Sequence, residues 1–332
     1  MINQFGSFNG SDVKAITITG GGLTATVLNW GAVLQDLRLE GHDAPLVLGF
    51  QKFNDYIAHS PYFGASVGRF ANRIHKGQFE IDGKSFQVDQ NETSGNSLHG
   101  GASGISNQVW QIEDYDESSV RLTVIDEESV TGYPGNCKIT CLYSLKPDGV
   151  FEVVYTCETD QTTPANIAHH SYFNLDGSEN IFDHDIMIKA DGYLPVSDAL
   201  IPHGDVQDVT STDFDFRDMR SIRSANGFVE YDHNFCLSDA QTECRHVATL
   251  VSRKSGVEML VNSTEPGIQF YTGFGISPTA NGLSGAPYQR GAGLCLETQA
   301  WPDAPNQPSF PNSILKSGEQ LVQRTEYIFT KK

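Results

Sequence analysis

Cys137-Lys-Ile-Thr-Cys-Leu-Tyr-Ser-Leu145, then Lys146-Pro-Asp-Gly149, then Val150-Phe-Glu-Val-Val-Tyr-Thr-Cys157 follow one another without a break. In the first run Ile139, Cys141, Tyr143 and Leu145 recur every second residue, so an extended chain puts them on one face. β-branched and aromatic residues dominate both runs, and Pro-Asp-Gly supplies the fixed φ and left-handed positions of a turn. The stretch reads as strand, turn, strand. The same reading extends outward in both directions. Val13 to Thr19 and Val120 to Val124 are short β-rich runs, Phe79-Glu-Ile81 and Phe86-Gln-Val88 flank Asp82-Gly83, and Val247 to Ser252 and Val257 to Val261 flank Arg253-Lys-Ser-Gly256. No window of 12 or more residues carries a 3.6-residue apolar period. Many short strands separated by Gly, Pro, Asn and Asp predict an all-β sandwich with few short helices.

The chain has 332 residues. Sandwiches of this length can form one domain, and no Ser/Gly linker, charge block or internal repeat marks a boundary, so residues 1–332 are expected to form a single domain. Its 41 acidic and 22 basic residues give a net charge of −19, which argues against nucleic acid and anionic membrane as partners. The opening MINQFGSFNG has neither a basic start nor an apolar stretch of signal length, and no run approaches the length of a membrane-spanning helix. A cytoplasmic protein is expected. Six cysteines (137, 141, 157, 236, 244, 295) are scattered along the chain, and free buried thiols are the expectation. Cys137 and Cys141 share strand parity, but no further ligands at metal-binding spacing accompany them.

Chemistry on such a scaffold belongs to loops, strand ends and a sheet face. Gly64 to Ile74 holds Asn72 and Arg73 against apolar neighbours, an amide and a guanidinium suited to bridging adjacent hydroxyls of a polyol. An Arg here could equally tie a loop to a carboxylate. In Asn96-Ser-Leu-His-Gly-Gly101, His99 precedes two glycines that let backbone approach a ligand closely, though a lone His can also be a plain turn residue. In Pro164 to Leu175, His169 and His170 face opposite sides of an extended chain, while Tyr172 shares the face of His170. An imidazole needs little tuning to act as a general acid near neutral pH. Asp232 lies in Tyr231-Asp-His-Asn-Phe235, and Gln269 in Pro266-Gly-Ile-Gln-Phe-Tyr-Thr272 offers donor and acceptor. Glu297 ends the apolar run Gly293-Leu-Cys-Leu-Glu297 and shares a face with Cys295. A carboxylate so placed is partly desolvated, which raises its pKa and suits a base; an exposed edge carboxylate is the plainer alternative. With Phe70 and Trp301 nearby in sequence, the set fits a carbohydrate better than a phosphate, for which no glycine-rich Lys-Ser/Thr loop is present.

The ordered segments GRFANRI (68–74), NSLHGG (96–101), HSYFNL (170–175), YDHNFCL (231–237), PGIQFYTG (266–273) and LCLETQAWPDAPNQPSFP (294–311) resemble the successive signatures of the aldose 1-epimerase, or galactose mutarotase, family across nearly the whole chain. The resemblance implies a large antiparallel β-sandwich of the galactose mutarotase type with a sugar groove on one sheet. It implies His170 as general acid, Glu297 as general base, and Asn72, Arg73, His99, Tyr172, Asp232 and Gln269 as sugar-binding residues. Two departures are visible. His169 stands where Asn often precedes the acid in this family, and Gly273 is followed by Phe274 rather than Asn.

The expected activity is interconversion of the α and β anomers of an aldohexose such as glucose or galactose, with neither cofactor nor metal, by a monomer or homodimer. Four alternatives remain: a glycosidase using Glu297 and Asp232, a non-catalytic sugar-binding sandwich, an epimerase of phosphorylated hexoses, and a metal site on His99, His170 and Asp232.

Overall fold

A computed structural model describes residues 1–223, 227–277 and 280–332. Its central hairpin follows from the turn chemistry. Strand Cys137–Lys146 pairs antiparallel with Val150–Thr159, and Asp148 and Gly149 adopt φ of 63° and 74° between them. A Cβ on Gly149 would collide with the Phe329 carbonyl, so glycine is required there both for its φ and for the close approach of the neighbouring strand.

From this hairpin a nine-stranded sheet extends on both sides. Its order is Gln111–Tyr115, Ser119–Asp126, Cys137–Lys146, Val150–Thr159, Gln320–Lys331, Val257–Ser263, Arg245–Ser252, His184–Ile188 and Arg220–Ser221, each neighbour antiparallel. A six-stranded sheet runs in the order Tyr172–Phe173, Leu294–Gln299, Gly267–Tyr271, Asp232–Cys236, Gly192–Tyr193 and Gln207–Asp208. Residues Ile2 to Leu39 add a four-stranded meander. The α-helices are short, Phe53–His59 and Glu128–Thr131. None of the described helices is long and apolar enough to cross a membrane.

Alternation places the core. From the nine-stranded sheet Ile139, Tyr143, Phe151, Val153 and Tyr327 point inward. From the six-stranded sheet Phe173, Phe235, Ile268, Phe270, Leu294 and Leu296 meet them, and Ile16, Ala25 and Leu34 of the meander join the same cluster. Two sheets thus bury their apolar faces against each other, as the patterning predicts. The consequence for function is that the odd-numbered partners Tyr271, Cys295 and Glu297 must face away from this core.

The cysteine expectation needs correction. In the hairpin register Cys137 lies opposite Thr159 and Ile139 opposite Cys157, so the two cysteines are diagonal neighbours on the buried face. Their Cα atoms are 6.5 Å apart, within bridging range, and they form a disulfide. A separation of 20 residues becomes a contact only once the hairpin register is set. Cys141, Cys236, Cys244 and Cys295 are free.

Candidate active site

The face of the six-stranded sheet that turns away from the core carries two cross-strand rows. Asn234, Gln269 and Glu297 are directly opposite one another on three adjacent strands. One step along, Asp232, Tyr271, Cys295 and Tyr172 form the second row across four strands. Directly opposite side chains in an antiparallel sheet stand close enough to interact, so the ladder itself builds a polar floor from residues up to 125 positions apart. Gln269 Nε2 donates to Asp232 Oδ1 at 2.7 Å. Among the described residues, Gln269 Oε1 and Glu297 Oε2 are buried acceptors without a hydrogen-bond partner.

His170 reaches this floor from strand Ala168–His170, which pairs with Ala65–Val67 rather than with the sheet. Alternation separates the adjacent histidines. His169 turns into the core, where Nε2 meets Ser171 Oγ at 2.7 Å and Nδ1 meets the Tyr143 hydroxyl at 3.3 Å. His170 turns outward, with Nε2 at 3.7 Å from Glu297 Oε1 and Nδ1 at 3.6 Å from Cys295 Sγ. The departure at residue 169 therefore lies beneath the site, in a buried hydroxyl network.

Arg73 and His99 enter together because strand Arg73–Ile74 pairs with Ser97–Leu98. The Asn72 amide N–H donates to His99 Nδ1 at 3.1 Å, so in the neutral ring the proton sits on Nε2, which becomes a donor. The Asn72 side chain caps its own loop through the Arg73 N–H. Arg73 grips Glu92 with Nε and Nη2 at 2.9–3.1 Å and places Nη1 at 3.9 Å from Asp232. This arginine ties a loop to a carboxylate, and its remaining nitrogen lies toward Asp232 on the floor.

Burial governs the electrostatics. Glu297 is 2% exposed, and desolvation, reinforced by Asp232 and opposed by Arg73, holds its pKa well above 4.5. Desolvation lowers His170 to about 4, with its own backbone carbonyl opposing the shift. The pair therefore favours its neutral form, with the shared proton on the carboxyl. Asp232 is raised for the same reason, against the pull of Arg73. His99 is held well below its usual value by burial, then by His170 and Arg73, which keeps it a neutral donor.

The structure gathers His170, Glu297, Asn72, Arg73, His99, Tyr172, Asp232 and Gln269 around one floor. Tyr172 differs in detail, since its hydroxyl donates to the Pro61 carbonyl and the site receives only its ring, 5.2 Å from that of His170. Of the two aromatic residues nearby in sequence, Phe70 lies elsewhere, whereas Trp301 lies at one end of the floor, filling the space beside Gly267 together with Asn234. Phe70 packs with Ile74, Phe79 and Tyr133, and Trp301 donates to the Pro266 carbonyl. The space beside Gly100 is taken by the backbone of Gly68 and Arg69, and Asp89 lies against Gly101, so these glycines serve chain packing and not a ligand. Sequence reasoning missed Tyr62, whose ring lies 4.7 Å from His99 and 5.6 Å from His170, and Glu92, which holds Arg73. Neither belongs to a periodic run, so no pattern marked them.

The metal alternative named His99, His170 and Asp232. The described residues instead bring ligand atoms of His99, His170 and Glu297 within 4.8 Å of one another. The donor set fits a metal poorly, because the Asn72 amide occupies the Nδ1 lone pair of His99 and leaves the proton on its other nitrogen.

The chain belongs to the aldose 1-epimerase family, whose profile matches residues 14–328. It is 41% identical to galactose mutarotase of Bos taurus over 319 residues, covering 93% of this chain and 91% of that one. The aldose epimerase homologue from C. elegans superposes with a TM-score of 0.90 at 28% identity, covering 96% of this chain and 99% of that one. Galactose 1-epimerase from Lactobacillus acidophilus superposes at 0.85 and 26% identity, covering 100% and 98%. Family and fold together define an aldose 1-epimerase of the galactose mutarotase type.

Proposed function

We propose that the protein interconverts the α and β anomers of an aldohexose such as D-glucose or D-galactose, with Glu297 and His170 as the proton-transfer pair. The observation that carries this reading is the 3.7 Å between Glu297 Oε1 and His170 Nε2, two titratable groups on one floor and close enough to flank a single anomeric carbon. The active microstate has the pair's proton on His170. Glu297 then removes the C1 hydroxyl proton while His170 Nε2 protonates the ring oxygen. The C1–O5 bond breaks and C1=O1 forms. Rotation about C1–C2 presents the other face, and the two transfers run backward to close the ring. Ring opening leaves Glu297 protonated and His170 neutral, the form that burial favours, so desolvation makes the acid strong and the base strong together.

The other residues position the sugar. His99 Nε2–H and Arg73 donate to hydroxyl oxygens, and Asp232 and Gln269 Oε1 accept from hydroxyls. Asn72 acts by fixing the His99 ring. Tyr62 offers an aromatic face to the apolar side of a pyranose. A phosphorylated hexose is disfavoured, since Arg73 is already engaged by Glu92 and lies beside Asp232. On this reading the chain is one domain whose core cluster runs from Ile16 to Phe329, and it serves hexose, including galactose, metabolism in the cytoplasm.

Polarimetry on freshly dissolved α-D-glucose and α-D-galactose tests the proposal. Acceleration of the rotation change without release of reducing sugar from disaccharides supports it. Sugar binding at the buffer rate of mutarotation would leave only the binding-module reading.

A further inference from the structure

Cys295 has no part in the proton transfers, yet it sits directly beneath the acid. It lies opposite both Tyr172 and Tyr271 in the second cross-strand row and is fully buried, with Sγ at 3.6 Å from His170 Nδ1. We infer that Cys295 is a positioning residue for His170: its neutral sulfur accepts the ring Nδ1–H, which turns Nε2 and its lone pair to the sugar and leaves the imidazolium a strong acid. The inference rests on His170 being the proton donor to the ring oxygen.

The argument starts from what the reaction demands of the ring. After protonating the ring oxygen, His170 must be neutral with an empty Nε2, ready to take the same proton back, so its remaining hydrogen has to stay on Nδ1. That hydrogen needs an acceptor within the fold. Many histidines in proton-transfer sites use a carboxylate there, which also raises the basicity of the ring. Here the neighbours of the ring N–H are a thiol and the ring's own backbone carbonyl, which accepts the Gly64 N–H at 3.0 Å with one lone pair and shares the ring hydrogen with the sulfur through the other. A thiol is a weak acceptor and carries no charge while protonated, and burial raises the Cys295 pKa well above 9.0, with Glu297 and Asp232 adding to it. The sulfur therefore orients the ring without stabilising its cationic form as a carboxylate does.

The other titratable groups facing His170 are Glu297 beside Cys295 on the same strand, His99 at a ring separation of 5.0 Å, Tyr62 at 5.6 Å, Tyr172 at 5.2 Å, and His169 behind it. His99 and His169 are held neutral by burial, and the phenols are raised, so none supplies a full charge to Nδ1 in place of the sulfur.

The test compares Cys295→Ser and Cys295→Ala with wild type by polarimetry, each across the pH range, and by ¹⁵N NMR of histidine-labelled protein. In wild type the His170 ¹⁵N shifts are expected to report the Nδ1–H tautomer. The alanine variant should lose roughly tenfold in kcat with KM within about twofold, the pattern of an interaction that acts in the chemical step. The acid limb, which reports protonation of the ring, should move in the order Ser above Cys above Ala, following the strength of the acceptor. Circular dichroism establishes that both variants fold. A mainly Nε2–H tautomer in wild type overturns the inference, as does a folded alanine variant with wild-type kcat and an unmoved acid limb. The control is His170→Asn in the same assay: if it retains full activity, the role of His170 itself is wrong, which separates that failure from failure of the Cys295 inference.

Discussion

Gln269 lies directly across the ladder from Glu297, yet its amide nitrogen bonds Asp232 at 2.7 Å and leaves the facing carboxyl alone. Glu297 thus occupies a position where a cross-strand partner is at hand and is not used. Its Oε2 has no partner among the described residues, and desolvation dominates its ionisation. A buried carboxylate without donors is a strong base and a stability cost, and both consequences can be measured.

The stability consequence follows from linkage. Because the folded-state pKa of Glu297 lies above 4.5, the native protein holds this proton more tightly than the unfolded chain. Stability from this group is greatest below pH 4.5 and declines as pH rises toward the folded value. Glu297→Gln removes the ionisation. Thermal unfolding of the variant is therefore expected at a higher Tm than wild type at pH 8, with the gap closing near pH 4. An equal or lower Tm at pH 8, with the fold intact, contradicts the desolvation argument.

Two arginines in one signature have opposite roles. Arg69 is fully buried, with Nε at 2.7 Å from Asp126 Oδ2 and further bonds to Pro134 and Thr163. Breaking such a pair strands a charge in the interior and costs about 3–5 kcal/mol. Urea unfolding of Arg69→Met should show a loss of that order. Arg73→Met should unfold close to wild type and lose kcat/KM instead.

Glu92 offers a more selective probe of the rim. Its carboxylate fixes the Arg73 fork at three contacts. In Glu92→Gln the guanidinium loses its charged, bidentate partner and its orientation. The expected result is a KM raised by roughly fivefold to tenfold with kcat nearly kept, about 1–1.4 kcal/mol of binding. A fall confined to kcat would place Glu92 in the chemical step.

Much of the fold was legible because period two is a local signal. The hairpin across Asp82 and Gly83 forms with both residues at positive φ, 50° and 77°, as a two-residue turn requires. Leu294 and Leu296 go to the core and Cys295 and Glu297 to the floor, and His169 and His170 part in the same way. What alternation does not encode is which strands become neighbours. Tyr62 and Glu92 reach the site through loops, and the link between Cys137 and Cys157 waits on hairpin register.

The Cys137–Cys157 bond closes a short loop in the nine-stranded sheet, which carries neither His170 nor Glu297. On the chain-entropy account a loop of this length contributes about 3 kcal/mol. Reduction under mild denaturant, or Cys137→Ala with Cys157→Ala, should lower Tm while leaving kcat within about twofold at 25 °C. A larger loss of kcat would mean that the sheet transmits its strain to the floor.

The proton-transfer pair itself is tested most directly by saturation-transfer NMR between the α and β H1 resonances of galactose at anomeric equilibrium. Wild type is expected to exchange the two rapidly, and Glu297→Gln and His170→Asn to lose about 10²–10⁴ of that enhancement each while remaining folded. Exchange at the wild-type rate in either folded variant would contradict the assignment of that residue to the chemistry.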